Sequence, residues 1–251
     1  MMCALPADEN AHPLPQLPRL ILIDGFNVMH GFKNLMNDPH VDSRMNAIVI
    51  LPLIKTFSNA GFVVRIAIPR YPKPFEVNHM YILHELNKIQ ICIYPAKTFK
   101  EADDLIMLEI AEKYGAKIIS NDAFKNHRKY QSVAQKYAIK YKKKLNPKFS
   151  LEELERRLIF KNKCFIDGKE DDMYCMLNDP DYKKVEESYD VFWQLTIYDK
   201  KILDLLQSYV HCYICSQIGF KIPSNIVFMA DDENSPPKFA VFRNRNFSLN
   251  I

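Results

Sequence analysis

The chain has 251 residues, 48% apolar and 12% aromatic. That is enough for a buried core, and it excludes a disordered chain, a coiled-coil rod and a minimal disulfide scaffold. Six glycines, about 2.4% against a typical ~7%, argue against a glycine-rich phosphate loop, and neither GxGxxG nor GxxxxGK[ST] occurs. The 34 basic and 30 acidic residues leave a formal +4, too mild by itself to announce a nucleic-acid protein.

Residues 1–18 carry Pro6, Pro13, Pro15 and Pro18 and read as a flexible lead-in. They lack the basic and apolar regions of a secretory signal, so Cys3, Cys92, Cys164, Cys175, Cys212 and Cys215 are expected to be reduced thiols of an intracellular chain. The longest uncharged apolar run, Ala47 to Ile54, contains Pro52 and is far short of the ~20 residues of a membrane span.

Arg19 to Asp24 (RLILID) is predicted to be a buried strand ending in an acid. A helix is expected from about Arg44, capped by Asp42 or Ser43, kinked or divided at Pro52 and stopped at Gly61. Phe62 to Ile68 reads as the second strand, Glu76 to Lys88 as a helix, and Gln90 to Tyr94 as the third strand. Asp103 to Tyr114 is an amphipathic helix closed by Gly115, followed by a fourth strand, Ala116 to Ser120. Short apolar strands alternating with helices predict an α/β fold with a mainly parallel sheet, whose ligands bind beyond the carboxyl ends of the strands. Leu151 to Arg157 reads as helix, Leu158 to Ile166 as strand, and Tyr198 to Ile218 as one long helix.

Three acidic sites fall at corresponding points of this pattern: Asp24 at the end of the first strand, Asp103 and Asp104 opening the helix after the third, and Asp122 after the fourth. Each alone has an ordinary explanation as a turn residue or helix cap. Together, in a parallel sheet, they would converge on one rim. Gathered carboxylates repel, and all-oxygen ligands suit hard cations such as Mg²⁺ or Mn²⁺, which can activate water and neutralise charge on a phosphodiester. Asn27 stands where its amide could orient Asp24 or a bound water.

Residues 125–148 hold nine Lys/Arg and no Asp or Glu, so the remainder of the chain is net acidic. Lys125, Arg128, Lys129, Lys140, Lys142, Lys143 and Lys144, with Arg44, are the candidate RNA contacts; Tyr130, Tyr137 and Tyr141 are candidates for base stacking, though Val133, Tyr137 and Tyr141, at four-residue steps, could instead be a core stripe. His30, Lys33, Arg70 and Lys73 lie in loops near the same rim.

The segments LILIDGFNVMHG, VNHMYILHELNKIQICIYPAKTF, DDLIMLEIAEKYGAKIISNDAFKNHR and ERRLIFKNKCFIDGKED resemble, in order, the NYN (PIN-like) ribonuclease domain of the Zc3h12/Regnase endoribonucleases. The resemblance covers about residues 19–181. It implies a three-layer PIN-like domain over 19–187, Mg²⁺- or Mn²⁺-dependent endonucleolytic cleavage of single-stranded RNA, and a site built from Asp24, Asn27, Asp103, Asp104 and Asp122. Asp24, Asp104 and Asp122 would hold the metal, and Asp103 would be a ligand or lie just behind one. The implied setting is mRNA decay or small-RNA silencing in the cytoplasm or its RNA granules, with the nucleus left open. Three departures stand out: Asn126 occupies a position usually held by a further Asp, the basic loop before the central acids is reduced to Lys97 and Lys100, and no CCCH zinc finger follows. Targeting is therefore expected to come from a partner protein, and a homodimer is left open. The alternatives are an RNA-binding or scaffold domain with weakened catalysis, and a phosphatase-like hydrolase using Asp24, which Phe26 disfavours. Residues 188–251 are expected to form a helical extension that packs on the domain or docks a partner.

Overall fold

The computed structural model describes residues 16–31, 44–73, 75–96, 99–141 and 170–217. Its centre is a five-stranded sheet of β2 (Ile21–Asp24), β4 (Val64–Ala67), β6 (Cys92–Ile93), β7 (Lys117–Ile119) and β8 (Ala138–Ile139). The spatial order is β6-β4-β2-β7-β8, and every pairing is parallel. From β2 the chain builds outward through β4 to β6, then returns to add β7 and β8 on the other side. That reversal makes the carboxyl end of β2 a topological switch point, where α/β sheets leave a crevice.

The strands are short and apolar because both faces are covered. Alternation along β2 sends Ile21 and Ile23 into one core cluster, while Leu22 joins Leu20 in the other. The first cluster packs beneath α1 (Gly25–Gly31), α2 (Ile50–Asn59), α3 (Met80–Lys88) and α7 (Ile197–Gln217). The second packs beneath α4 (Ala102–Tyr114) and α5 (Gln131–Tyr137), with α6 (Tyr182–Val191) against α4. The result is the three-layer α/β/α arrangement of a PIN-like domain. Two small accessory pairings flank it: β1 (Gln16–Pro18) runs antiparallel to β9 (Tyr174–Met176), and β3 (Met45–Asn46) runs parallel to β5 (Val77–Asn78).

Several boundaries differ from the sequence expectations for identifiable reasons. Gln16–Pro18, the end of the expected lead-in, is held in register by β9 and by the Tyr189 hydroxyl, which donates to the Pro18 carbonyl at 2.5 Å. The second helix starts at Ile50, not Arg44. Asn46 Oδ1 accepts the Ile48 N–H at 3.0 Å and opens a 3-10 turn over Ala47–Val49, so a side chain inside the expected helix caps it. Pro52 falls in the first turn of α2, where a missing N–H costs nothing, and neither kinks nor divides it. The helix expected from Glu76 begins at Met80 because Val77–Asn78 pairs with β3. The basic stretch is not one solvated helix: after a 3-10 turn at Arg128–Tyr130 it supplies α5 and then β8. The helix expected at 151–157 and the strand at 158–166 lie outside the described residues, as does the tail from Pro223. No helix among the described residues is long and apolar enough to cross a membrane.

The opposite edge of the sheet is closed by one buried network. Arg19 donates to the Gly115 carbonyl (2.9 Å), Asp179 (2.5 Å) and Asp181 (3.3 Å). Asp181 also accepts from Lys136 Nζ (2.9 Å) and the Tyr137 hydroxyl (2.9 Å). Gly115 caps α4 at φ +63°, and a Cβ there would lie 3.1 Å from Arg19 Nη1, so the capping glycine is also what lets the guanidinium sit down.

Candidate active site

Asp24 is the last residue of β2 and only 3% exposed. Its Oδ1 accepts the Asn27 main-chain N–H at 3.0 Å and its Oδ2 accepts the Ser120 hydroxyl at 2.6 Å. Ser120 Oγ in turn accepts the Asp122 N–H at 3.0 Å, tying the ends of β2 and β7 together. The chain enters α1 pressed against β4: a Cβ on Gly25 would sit 2.7 Å from Ile66 Cγ2 and 3.0 Å from the Ala67 carbonyl. The Asp-Gly pair therefore serves close packing as well as turning.

Asn27 behaves differently from expectation. Its backbone, not its amide, orients Asp24. The side-chain Oδ1 accepts from the Asn121 N–H (3.0 Å) and the Tyr141 hydroxyl (2.8 Å), and Tyr141 N–H donates to Asn121 Oδ1 (3.0 Å). Asn27 is thus a brace between α1 and the loops after β7 and β8. Gly31 leaves room for it, since a Cβ there would meet the Tyr141 hydroxyl at 2.6 Å.

Asp103 and Asp104 lie in the first turn of α4. The turn is set by Glu101 at φ +66°, an unfavourable conformation for a non-glycine residue, and no side chain caps the helix. Asp122 is exposed just beyond β7, with Oδ1 accepting the Phe124 N–H at 3.0 Å. All four aspartates and Asn27 line one open cleft of about 990 Å³ at the carboxyl edge.

The electrostatics are those of a site short of positive charge. Burial pushes the Asp24 carboxyl up to about 7 against the pull of Ser120 and Asn27, with the charges of Asp103 and Asp122 adding to the rise. Burial and then the charges of Asp24, Asp103, Asp122 and Glu101 push Asp104 up to about 8, and Asp103 is raised, chiefly by burial. Among the described residues, none of these four carboxylates is ion-paired to a lysine or arginine. His127 Nε2 comes nearest, 3.7 Å from Asp104 and 3.8 Å from Glu101, buried and without a hydrogen bond. No three His, Cys, Asp or Glu side chains among the described residues stand close enough to hold a metal ion as a finished cage. The donor set is nevertheless entirely carboxylate oxygen, mutually repelling and, among the described residues, without a lysine or arginine ion pair, which is the chemistry a hard divalent cation fits.

The basic stretch contributes less than its charge suggested. Lys136 is committed to Asp181, and Lys140 donates to the main-chain oxygen of Asp122. Lys125, Arg128 and Lys129 are exposed and do not line the cleft, and Lys142, Lys143 and Lys144 lie outside the described residues. Val133, Tyr137 and Tyr141 are buried, so the core alternative holds for that stripe, and Tyr130 is buried as well. Arg44, Arg70 and His30 do line the cleft, joined by Lys100. Sequence reasoning missed Ser120 and Glu101. It also missed the pairing that replaces the absent acid: Asn126 Nδ2 donates to Glu101 Oε1 at 2.8 Å. The ISND strand end held the clue to Ser120, but nothing local tied residue 101 to residue 126.

No curated protein matches the chain. A model of the Zc3h12a-like ribonuclease NYN domain does, over residues 17–157, which takes in β2 through β8 and every aspartate of the cleft. The chain belongs to the Zc3h12a-like ribonuclease NYN family, whose substrate is RNA.

Proposed function

We propose that the protein is an endoribonuclease that cleaves single-stranded RNA with a divalent cation, Mg²⁺ or Mn²⁺, held at the acidic end of the cleft, and that it acts in mRNA decay or small-RNA silencing in the cytoplasm. The observation that carries this reading is the convergence of Asp24, Asp103, Asp104 and Asp122 on one cleft, where burial and then neighbouring carboxylates raise the carboxyls of Asp24, Asp103 and Asp104.

Asp24, Asp104 and Asp122 would hold the cation, with Asp103 a further ligand or the group behind one. The cation supplies charge neutralisation at the phosphate and a lowered pKa for water. The chain's own residues do the rest. Ser120 and the Asn27 N–H fix both oxygens of Asp24, so that it has little freedom to turn away. Tyr141 and Asn121, through Asn27, hold α1 against the loops that carry Asp122. Arg44 and Lys100 on the cleft wall attract the strand and offset its phosphate charge, while Arg70, paired with Glu76, holds the wall in shape.

Incubation with unstructured RNA, with Mg²⁺ or Mn²⁺ and with EDTA, tests the proposal. Cleavage by the wild type that EDTA stops, leaving 5′-phosphate and 3′-hydroxyl ends and lost in Asp24→Asn and Asp122→Asn, is the expected result. RNA left equally intact by all three proteins would end the enzyme reading. The Asn126–Glu101 bond favours one second reading, a domain with weakened catalysis kept for RNA binding, and binding without cleavage in the same assay would establish it.

A further inference from the structure

Two large aromatic side chains stand exposed at the cleft: Phe75 is 68% accessible and Phe99 52%. Both line the same cavity as the aspartates. They arrive on different loops, one after β4 and one after β6, which are neighbours at one side of the sheet. A lone exposed phenylalanine is ordinary, but two facing the same charged crevice are not what burial of apolar surface would produce.

Neither ring is the loose end of a floppy loop. The Phe75 turn is closed by Glu76, whose carboxylate accepts two bonds from Arg70 (2.8 and 2.5 Å) and the Lys73 N–H (2.8 Å), while Glu76 N–H donates to the Lys73 carbonyl (2.9 Å). The Glu76 carboxyl is held down to about 2, first by its bond from Arg70, so the brace persists through any neutral buffer. Phe99 lies two residues before the left-handed Glu101, and its carbonyl accepts the Ala102 N–H at 3.2 Å at the start of α4. Each ring is therefore presented outward by backbone fixed at its base.

We infer that Phe75 and Phe99 form a nucleobase-binding subsite: they stack unpaired bases of the RNA strand whose phosphate lies at the acidic end of the cleft. Nucleic acid fits better than a protein partner because a lysine accompanies each ring: Lys73 Nζ lies 5.6 Å from the centre of the Phe75 ring, and Lys100 follows Phe99 on the cleft wall. Stacking needs a free base face, so the subsite selects single strands over duplex, whose bases are already stacked. It also tolerates any base, since every base has a π face. This inference rests on the proposal that the cleft takes RNA, but not on its being cleaved.

Affinities of the full chain for a labelled single-stranded oligoribonucleotide in EDTA test it, using wild type, Phe75→Ala, Phe99→Ala and the ring-preserving Phe75→Trp and Phe99→Trp. The same series is run with an abasic strand of equal length and with a duplex. Each alanine change is expected to weaken single-strand binding roughly ten-fold, with tryptophan restoring it and the salt slope unchanged. Binding of the abasic strand and of the duplex should be weaker and indifferent to the substitutions. Alanine variants that bind the single strand as wild type does overturn the inference, and would leave the rings to a protein partner. An equal loss on the abasic strand, or no wild-type binding at all, overturns it too. A wild type that fails to cleave RNA in the assay with Mg²⁺ or Mn²⁺ while showing the base-dependent pattern in EDTA would sink the nuclease proposal and leave the subsite standing. Melting temperatures of the variants, expected to match wild type at such exposed positions, separate a local loss from misfolding.

Discussion

The two ends of the central sheet use the same side chain in opposite ways. At the amino edge, Asp181 is 2% exposed yet fully compensated by Arg19, Lys136 and the Tyr137 hydroxyl. Burial would raise its carboxyl, but the bonds from Lys136 and Tyr137, with the charges of Lys136 and Arg19, outweigh that and hold it below the ordinary range. At the carboxyl edge, Asp24 is just as buried but receives only neutral donors, and its carboxyl rises to about 7. The difference separates a carboxylate that stabilises the fold from one that is held ready for something else. A buried acid with its cation built in is structure, whereas a group of acids without one is a site awaiting charge.

The largest effect expected at the carboxyl edge is on chemistry. Asp24→Asn should reduce RNA cleavage by at least about a hundredfold, the upper end of what loss of a supporting group alone costs. It should also make the metal-free protein more stable. Because the folded carboxyl titrates above its unfolded value, the native state binds the extra proton, and wild-type stability falls as pH rises from about 4 to 7. Melting curves in EDTA at pH 5 and pH 8 check this: the gain from Asp24→Asn should appear at pH 8 and shrink at pH 5. A gain equal at both would mean the carboxylate is not strained.

The opposite substitution at the amino edge should do the reverse. Asp181→Ala leaves Arg19 buried without that partner and should cost about 3–5 kcal/mol, the usual range for breaking a buried pair. Denaturant titration measures the loss, and cleavage below the melting transition should survive. Since this carboxyl is depressed in the folded state, its contribution is present above the unfolded value of about 4 and is lost as pH falls further.

Smaller contrasts sharpen the same division among the cations. Neutralising Lys100 should lower both RNA affinity and the salt slope, by roughly one unit if it contacts a phosphate. Lys136→Ala should lower stability and leave the slope alone. A slope change at Lys136 would move the RNA track onto α5. The smallest effect is expected from Asn126→Asp, which exchanges the bond to Glu101 for repulsion. It should cost about 1 kcal/mol of metal-free stability while tightening Mn²⁺ binding, read by titration calorimetry.

How far the sequence could be followed depended on range. Four strands of the sheet and α4 with its closing Gly115 were legible because each is specified within its own segment, by apolar runs, period and stop residues. Ala138–Ile139 was not, since two residues at the end of a basic stretch become a strand only by pairing with Ile118 and Ile119. The aspartates were legible as a group because parallel topology sends strand ends to one rim. Asn27 was placed in the site, but it is its main-chain N–H that meets Asp24 while its side-chain oxygen braces the neighbouring loops. Its amide partners, Asn121 and Tyr141, lie 94 and 114 residues away, and no spacing rule reaches so far.

The nine positive charges of residues 125–148 show the limit most plainly. A run in sequence is spread around a helix and across a strand, so Lys136 turned inward to Asp181 while Arg44, Arg70 and Lys100 reached the cleft from three separate loops. Sequence by itself determined four of the five central strands, the parallel sheet and the edge at which the aspartates gather, because these follow from local period and chain direction. Only the tertiary structure decided which acids are compensated, which tyrosines are core and which phenylalanines are left facing the crevice. Burial and pairing are properties of neighbours in space, and the residues that set them are far apart along the chain.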